Sequence, residues 1–243
     1  MSIYFQKMKQ KQSDILSKWY DQGFILPDDF LSKSKIEKVI KFMNAQLAKS
    51  EIDIHNWHIR SNTVFNLCND PAITKYLSII LGKEINIWRS VLFLKKAHSP
   101  ESEISWHQDN AFWELTPQIT ASVWIALDDI DESNGGLQII PKTHLRHFNH
   151  SLEIGSKFNF EVKDIPLALK ENVLQIKRKR GQFIVFNENL LHRSDANNGS
   201  TRRAALCFRY TIPKVKIFHP LPALATVRGI DKYKFSKIWK KNS

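Results

Sequence analysis

The sequence predicts a mainly β sandwich or barrel with helices packed on its outside. The first third of the 243-residue chain carries apolar residues at helical spacing, whereas the rest carries short β-branched and aromatic runs bounded by turn residues. Apolar residues make up 42% of the chain, including 15 Phe and 7 Trp, which is enough for a sizeable core. We therefore expect one domain over residues 1–243.

Three segments within residues 1–82 predict helices that support the sheet. The first covers Ser13–Tyr20, and the second opens at Asp28 with its apolar side chains on one face. The third begins at Asp70, a capping residue followed by proline, and stops at Gly82.

Beyond Gly82, the β-branched and aromatic runs predict strands of a core over residues 83–215, followed by a tail over 216–243. The predicted strands are Ile85–Leu94, Ala121–Leu127, Leu137–Ile140, Gln182–Phe186 and Ala204–Thr211. The insertion Lys142–Arg180 is long and weakly patterned, and we expect it to form a lid over a site.

The net charge of +12, from 36 Lys+Arg against 24 Asp+Glu, admits nucleic acid, an anionic membrane surface or an acidic substrate. The lysines are spread along the chain, however. The densest cluster, Lys177–Arg180, directly precedes Gly181 and a strand and has no interleaved aromatic residues. We interpret it as an exposed turn, and we expect no nucleic-acid partner.

Cysteine usage and the N-terminus indicate a cytoplasmic protein. Cys68 and Cys207 lie in apolar surroundings and form no close-spaced pair, which argues against a disulfide framework and favours a reducing compartment. The first residues lack the apolar core of a signal peptide, and no run is long enough to cross a bilayer, so we expect no membrane partner.

The most informative pattern is His107 and Asp109, two residues apart, together with a distant His192. On an extended strand the first two side chains leave the same face. Two imidazoles and one carboxylate form the facial triad that suits non-haem Fe(II) and leaves coordination positions open. The His-x-Asp triplet is short, but aromatic residues around it would exclude water from a reactive centre. An arginine pair follows His192 and could hold a carboxylate in the same cavity.

The chain resembles the phytanoyl-CoA dioxygenase family of Fe(II)/2-oxoglutarate-dependent oxygenases, in particular its small bacterial members. The resemblance covers nearly the whole chain and rests on blocks that match the motifs of the family: Trp19–Phe30, Asp70–Gly82, Ser105–Trp113, Ser122–Asp129, Asn134–His144, His192–Arg203 and Val227–Asp231. It implies a double-stranded β-helix, a jelly-roll or cupin-like core, in which His107, Asp109 and His192 bind and use the iron.

The resemblance also assigns the cosubstrate residues. The arginine eleven positions after the second histidine, Arg203, matches the anchor of the distal carboxylate of 2-oxoglutarate, and Arg202 is the second choice. Alternation along a strand would put Arg203, Ala205, Cys207 and Arg209 on one face and Arg202 on the other. The remaining candidates beside the cosubstrate are Trp124, Ser194 and Leu92. The candidates for substrate contact are Asn110, Phe112 and Trp113.

The function implied is hydroxylation of an unactivated C–H bond of a small molecule in biosynthetic metabolism. Iron, 2-oxoglutarate and O2 take part, ascorbate is a supporting reductant, and succinate and CO2 are coproducts. Halogenating relatives lack the carboxylate ligand, so Asp109 favours an oxygenase. Desaturation, cyclisation and epimerisation remain open at the same site. A non-catalytic jelly-roll binding protein and a nucleic-acid-acting oxygenase are the alternatives from other classes.

Overall fold

Two antiparallel β-sheets face each other across an apolar layer, and helices cover the outer face of the larger sheet. The computed structural model describes residues 3–49, 53–152, 160–218 and 223–239. The helices are α1 Ile3–Gln22, α2 Lys33–Leu47, α3 Asn62–Cys68, α4 Pro71–Ile80 and α5 Leu167–Lys170. The strands are β1 Phe24–Ile25, β2 Ile85–Lys95, β3 Ile104–His107, β4 Leu115–Thr116, β5 Ala121–Ala126, β6 Leu137–Ile139, β7 Ser151–Leu152, β8 Phe160–Glu161, β9 Leu174–Gln175, β10 Phe183–Asn187, β11 His192–Ser194, β12 Arg203–Thr211, β13 Lys216–Ile217 and β14 Ala225–Arg228.

The strand order confirms the predicted jelly-roll core. The six-stranded sheet has the order β1-β10-β5-β12-β2-β14, and the four-stranded sheet has the order β3-β11-β6-β9. Along the chain, β2, β5, β10 and β12 of the large sheet alternate with β3, β6 and β11 of the small one. The chain therefore winds between the two sheets as a double-stranded β-helix.

Strand β12 shows how the sequence serves both faces of the large sheet. Ala204, Leu206, Phe208 and Tyr210 pack into the core shared with the helices, whereas Ala205 and Cys207 face the layer between the sheets. Successive side chains of a strand point to opposite faces, and both faces are covered here. The sequence of β12 is therefore a nearly continuous apolar run, and its two arginines, Arg203 and Arg209, occupy positions that face the layer between the sheets.

The helical region departs from its prediction at the second helix. Helix α2 begins at Lys33 and not at Asp28, because tertiary contacts hold the preceding residues outside a helix. The carboxylate of Asp29 accepts a hydrogen bond from Tyr76, and the amide of Leu31 donates to the carbonyl of Gly181 at 2.9 Å. Helix α1 is longer than the predicted segment, and α3 was not predicted.

Helix α4 begins and ends at the predicted signals. The carboxylate of Asp70 accepts a hydrogen bond from the amide of Ala72 at 2.9 Å, and Pro71 occupies the first helical turn. Gly82 follows the helix with φ of +91°, a conformation that costs glycine little.

The insertion at 142–180 packs on the outside of the small sheet. Phe148, Val162 and Ile165 form an apolar cluster with Ile140 and Leu191, and strand β9 extends the sheet edge beside β6. Residues 153–159 lie outside the described part, and the role of the insertion as a lid stays a prediction.

The basic cluster at 177–180 is paired with acids. Lys177 contacts Glu132 at 3.2 Å, Lys179 contacts Asp129 at 2.9 Å and Arg180 lies 3.6 Å from Asp128. Neighbouring carboxylates thus offset much of its charge. Among the described residues, no helix combines the length and apolar character that crossing a bilayer requires.

Candidate functional site

Strand pairing in the small sheet brings the predicted metal ligands together. His107 ends β3 and His192 begins β11, and the two residues are direct partners in the antiparallel register. Asp109 opens the turn that follows β3. Its Oδ1 atom lies 3.7 Å from Nε2 of His107 and 3.9 Å from Nε2 of His192. One potential ligand atom from each residue lies within 4.8 Å of the others, and all three side chains are buried.

Both imidazoles have the tautomer that metal binding requires. Nδ1 of His107 donates to the carbonyl of Ser105 at 2.8 Å, and Nδ1 of His192 donates to the carbonyl of Leu190 at 2.9 Å. A carbonyl oxygen can only accept, so the proton lies on Nδ1 and the lone pair lies on Nε2. Such contacts to the outer nitrogen orient ligand histidines in metal sites.

The electrostatics keep the histidines neutral and the aspartate ionised. Burial, together with the neighbouring imidazole, lowers the pKa of His107 to about 3, and burial also lowers the pKa of His192. Burial alone would raise the pKa of Asp109, but Arg209 and the two imidazoles outweigh it and hold that pKa below its usual value. A guanidinium nitrogen of Arg209 lies 2.9 Å from Oδ2 of Asp109.

This donor set fits Fe(II). Two neutral imidazole nitrogens and one carboxylate oxygen lie within 4.8 Å of one another, and three protein ligands of these types suit non-haem Fe(II) and would leave coordination positions open. Oδ1 of Asp109 faces the imidazoles while Oδ2 is held by Arg209, which favours a carboxylate that binds through one oxygen.

A narrow cavity between the two sheets adjoins the triad and contains most of the predicted cosubstrate residues. Trp124, Ser194 and Arg203 line it together with His107 and His192. Arg203 is 1% exposed, and its guanidinium donates to the carbonyl of Gly135 and lies 5.6 Å from the ring of Trp124. Burial lowers the pKa of Arg203 to about 9, so the side chain stays cationic at neutral pH.

The structure places the other two cosubstrate candidates elsewhere. Arg202 points outward, where it donates to Asp128 at 3.3 Å and to Asn44 at 2.8 Å. Leu92 packs in the core shared with the helices, and its neighbour Phe93 lines the cavity instead. Leu92 and Phe93 lie on opposite faces of β2, because side chains alternate along a strand, and only Phe93 faces the narrow cavity.

A second, open cavity of about 310 Å³ also reaches the triad, since His107 and Asp109 line it. Phe112 and Trp113, two of the candidates for substrate contact, line it together with Val91 and Phe93 of β2. Asn110 does not line it, because its side-chain amide donates to Gln118 at 2.8 Å. The volume lies at the lower end of the range for small-molecule sites.

Sequence reasoning missed the residues that fix the ligand loop. The buried Gln108 donates to the carbonyl of Arg146 at 2.8 Å and accepts from the amide of Phe148 at 3.0 Å. The backbone amide of Gln108 donates to Nε2 of His150 at 3.0 Å. Gln108 separates the two ligands His107 and Asp109, so these bonds tie the metal loop to the insertion. Its position between two ligands was the only sequence signal for this role.

Comparison with known proteins agrees with this geometry. The phytanoyl-CoA dioxygenase (PhyH) family model matches residues 19–205. L-proline trans-4-hydroxylase of Streptomyces griseoviridis is 24% identical over 188 residues, which cover 69% of this chain and 70% of that enzyme. For several other curated relatives, the chain spans about half of the relative's length.

Solved structures share the fold. The non-haem monooxygenase ThoJ superposes with a TM-score of 0.79 at 23% identity and covers 92% of this chain and 86% of its own. The epimerase SnoN, solved with Fe3+, α-ketoglutarate and a nogalamycin ligand, has a TM-score of 0.72 at 14% identity, with 86% of each chain covered. With its family match and its buried His-Asp-His triad, the chain belongs to the phytanoyl-CoA dioxygenase family of iron- and 2-oxoglutarate-dependent oxygenases.

Proposed function

We propose that the protein hydroxylates an unactivated C–H bond of a small molecule, with Fe(II) held by His107, Asp109 and His192. The observation that carries this proposal is the pair of imidazoles whose Nε2 atoms are unprotonated and lie near one oxygen of Asp109. The cavity that contains the buried Arg203 lies beside them. When bound, iron and 2-oxoglutarate supply the oxidative chemistry, which consumes O2 and yields succinate and CO2.

Arg203 is the proposed anchor for the distal carboxylate of 2-oxoglutarate. Within the described part of the chain, no carboxylate lies within ion-pair distance of its guanidinium, and a backbone carbonyl is its recorded acceptor. A guanidinium binds a carboxylate through two parallel hydrogen bonds. A buried, cationic arginine that is not paired with a carboxylate of the described residues is suited to bind an anionic ligand beside the metal site.

The remaining residues of the narrow cavity orient the cosubstrate and exclude water. Trp124 stands beside the guanidinium, and Phe93 and Phe186 form apolar walls. The hydroxyl of Ser194 lies on the strand that carries His192, within the same lining. Apolar walls strengthen the pairing of Arg203 with an anion, because they lower the local dielectric constant.

The proposed substrate site is the open cavity with Phe112 and Trp113. It shares His107, Phe93 and Arg209 with the narrow cavity, so a molecule there reaches the metal from the side opposite Arg203. Desaturation, cyclisation and epimerisation use the same site, and product analysis separates them from hydroxylation.

Conversion of 2-oxoglutarate to succinate with Fe(II), O2 and ascorbate tests the proposal. Purified protein is expected to release succinate slowly by itself and faster with a metabolite that fits the open cavity. Mass spectrometry of the stimulating metabolite then identifies the product, which is expected to gain one oxygen atom. Absence of succinate formation would favour a non-catalytic binding protein, and succinate formation that does not need iron would contradict the proposed metal site.

The proposed setting is the cytoplasm, with a free small molecule as partner. Cys68 and Cys207 are buried free thiols whose pKa burial raises, which suits a reducing compartment. The ion pairs within the basic cluster at 177–180 favour a solvated turn over a nucleic-acid surface.

A further inference from the structure

We infer that His55 holds a hydrogen-bond donor of the substrate, a hydroxyl or an amino group, in the open cavity. This inference rests on the proposed function and specifies the chemical class of its substrate. It depends on the face that the strand register gives His55, on the partner of its Nδ1 atom and on the acceptors that the cavity lining offers.

The backbone around His55 runs beside β2 and directs the imidazole into the open cavity. His55 forms an isolated antiparallel bridge with Val91, and the amide of Leu92 donates to the carbonyl of Ile54 at 3.0 Å. Cross-strand partners place their side chains on the same face, and neighbours along a strand alternate. Ile54 accordingly packs against the core shared with the helices, whereas His55 and Val91 line the cavity that the metal ligands also line.

The carboxylate of Asp53 fixes the tautomer of this imidazole. Its Oδ1 accepts from the backbone amide of His55 at 2.9 Å and lies 3.3 Å from Nδ1 of the ring, while its Oδ2 lies 2.5 Å from a guanidinium nitrogen of Arg60. Burial alone would raise the pKa of Asp53, but hydrogen bonds from His55 and Arg60 outweigh it and lower that pKa. An ionised carboxylate only accepts, so Nδ1 carries the proton and the neutral ring presents a lone pair at Nε2.

Nε2 of His55 is accessible to a ligand. Within the described part of the chain, Nδ1 of the ring has a partner and Nε2 has none. Asp53, which holds Nδ1, is not among the residues that line the cavity. The side chain of His55 is 43% exposed, so a substrate group that enters the cavity can reach Nε2.

The lining of the open cavity offers few other acceptors to a substrate. Among its described residues, the side chains that can accept a hydrogen bond are His55, His107 and Asp109. The last two are the proposed metal ligands, and the guanidinium groups of the lining only donate. A hydroxyl or amino group of the substrate therefore finds its side-chain acceptor at His55. Burying such a group without an acceptor would cost the free energy of desolvating it.

The rest of the lining fits the carbon frame of such a molecule. Val91 and Phe93 lie on the same face of β2, and Trp113 belongs to the wall that follows the metal loop. A donor group at His55 places the carbon frame along these side chains, toward the metal ligands. The oxidised carbon then belongs to the apolar part of the molecule, and the group held by His55 selects which molecules are positioned for oxidation.

Heteronuclear NMR of the imidazole nitrogens at mildly alkaline pH tests the tautomer. The protein is loaded with 2-oxoglutarate and with Zn(II), a diamagnetic substitute for Fe(II), and His55→Gln assigns the resonances by their absence. The proton of His55 is expected on Nδ1, and an added donor compound should shift the Nε2 resonance. A proton on Nε2 would overturn the inference, because that atom could then not accept.

Calorimetric binding to anaerobic protein loaded with Fe(II) and 2-oxoglutarate tests the substrate class without turnover. The probes are aliphatic and aromatic alcohols paired with their methyl ethers, and primary ammonium compounds paired with their trimethylammonium counterparts, which keep the charge and lose every donor. His55→Phe retains a ring and removes the acceptor, and His55→Gln retains an acceptor oxygen. His147→Phe, at an exposed histidine outside both cavities, is the matched control.

The wild-type protein is expected to bind at least one alcohol or primary ammonium compound more tightly than its methylated counterpart, and the preferred pair identifies a hydroxyl or an amino group. His55→Phe should reduce this preference roughly five- to thirtyfold, as expected when a buried donor loses its acceptor. His55→Gln should keep part of the preference, and His147→Phe should match the wild-type protein.

Two binding results would overturn the inference. One is that no alcohol or primary ammonium compound binds the wild-type protein more tightly than its methylated counterpart. The other is that His55→Phe keeps the wild-type preference, which would place the acceptor elsewhere. If His55→Phe fails to fold, the tautomer and the response of Nε2 in the wild-type protein decide. Succinate formation without added substrate tests the proposed function separately, because it requires iron and 2-oxoglutarate and no donor in the open cavity.

Discussion

The two ends of the inner face of β12 each bury an arginine, and they differ in what neutralises it. At one end, Arg209 pairs with Asp109 at 2.9 Å. At the other end, Arg203 donates to the carbonyl of Gly135, and the described residues place no carboxylate within ion-pair distance of it. One arginine is thus paired with an acid of the candidate metal site, whereas the other is the proposed anchor for an external anion.

The protonation equilibria reflect the same difference. Burial disfavours the charged form of both side chains. For Arg203 burial acts alone and lowers the pKa to about 9, whereas for Arg209 the charge of Asp109 outweighs burial and raises the pKa. A buried charge is costly unless it is paired. The folded protein therefore carries an unneutralised charge at the Arg203 end, which an anionic cosubstrate would stabilise.

Removal of Asp109 should have the largest effect, because it disrupts the metal end completely. Asp109→Ala deletes one of the three proposed metal ligands and leaves Arg209 buried without its carboxylate. We expect no detectable iron-dependent succinate formation and loss of stoichiometric metal binding in a metal titration. Asp129→Ala, a change at an exposed carboxylate, is the control. Retention of full activity in Asp109→Ala would refute the triad.

Removal of Arg203 should weaken the binding of 2-oxoglutarate and leave the metal ligands intact. Arg203→Met keeps an unbranched side chain but leaves the distal carboxylate of 2-oxoglutarate unpaired in a desolvated pocket. Truncating one partner of such a pair costs about 2–5 kcal/mol, so 2-oxoglutarate affinity should fall at least roughly tenfold. Arg202→Met is the matched control, since Arg202 lies on the outer face against Asp128 and Asn44. A larger loss in the control would reverse the assignment.

The same two ends show what the sequence can and cannot predict. The ligand spacing and the motif blocks identified His107, Asp109 and His192, and alternation along β12 placed Arg203 and Arg209 on the inner face. Strand β2 is buried on both sides, so its apolar residues do not reveal which face they line, and the sequence could not tell that Phe93 rather than Leu92 faces the narrow cavity. The other features that the sequence did not predict arise from tertiary contacts. The register that pairs Arg89 with Arg209 joins distant segments, and contacts with Gly181 and Tyr76 hold the stretch before α2 outside a helix.

Arg209 distinguishes a positioning residue from a cosubstrate anchor. Arg209→Met should leave Oδ2 of Asp109 without its charged partner, so the carboxylate can turn away from the imidazoles. Loss of such an outer partner typically lowers metal affinity 10–100-fold, and we expect a decrease of about that size in a competitive metal titration. Arg209→Lys should restore part of the affinity. Unchanged metal affinity in Arg209→Met would show that Asp109 keeps its orientation without the pair.

The smallest expected effect concerns Glu188, a second buried carboxyl near the metal end, which has no guanidinium partner among the residues that the structure describes. Its Oε1 accepts from the amide of Thr120 at 3.1 Å, and burial raises the pKa of Glu188 to about 8. The folded form therefore keeps a proton between about pH 5 and 8 that the unfolded form has lost. This contribution to stability is fully present below the unfolded pKa and disappears as the pH rises through the folded pKa.

Metal-free wild type should lose up to about 1.4 kcal/mol of unfolding free energy per pH unit in that window, and Glu188→Gln should flatten this slope in denaturant titrations. Glu132→Gln, at an exposed carboxylate, should keep the wild-type slope. Equal slopes in wild type and Glu188→Gln would mean that Glu188 is ionised in the folded protein, and the metal end would then hold two negative charges beside Arg209.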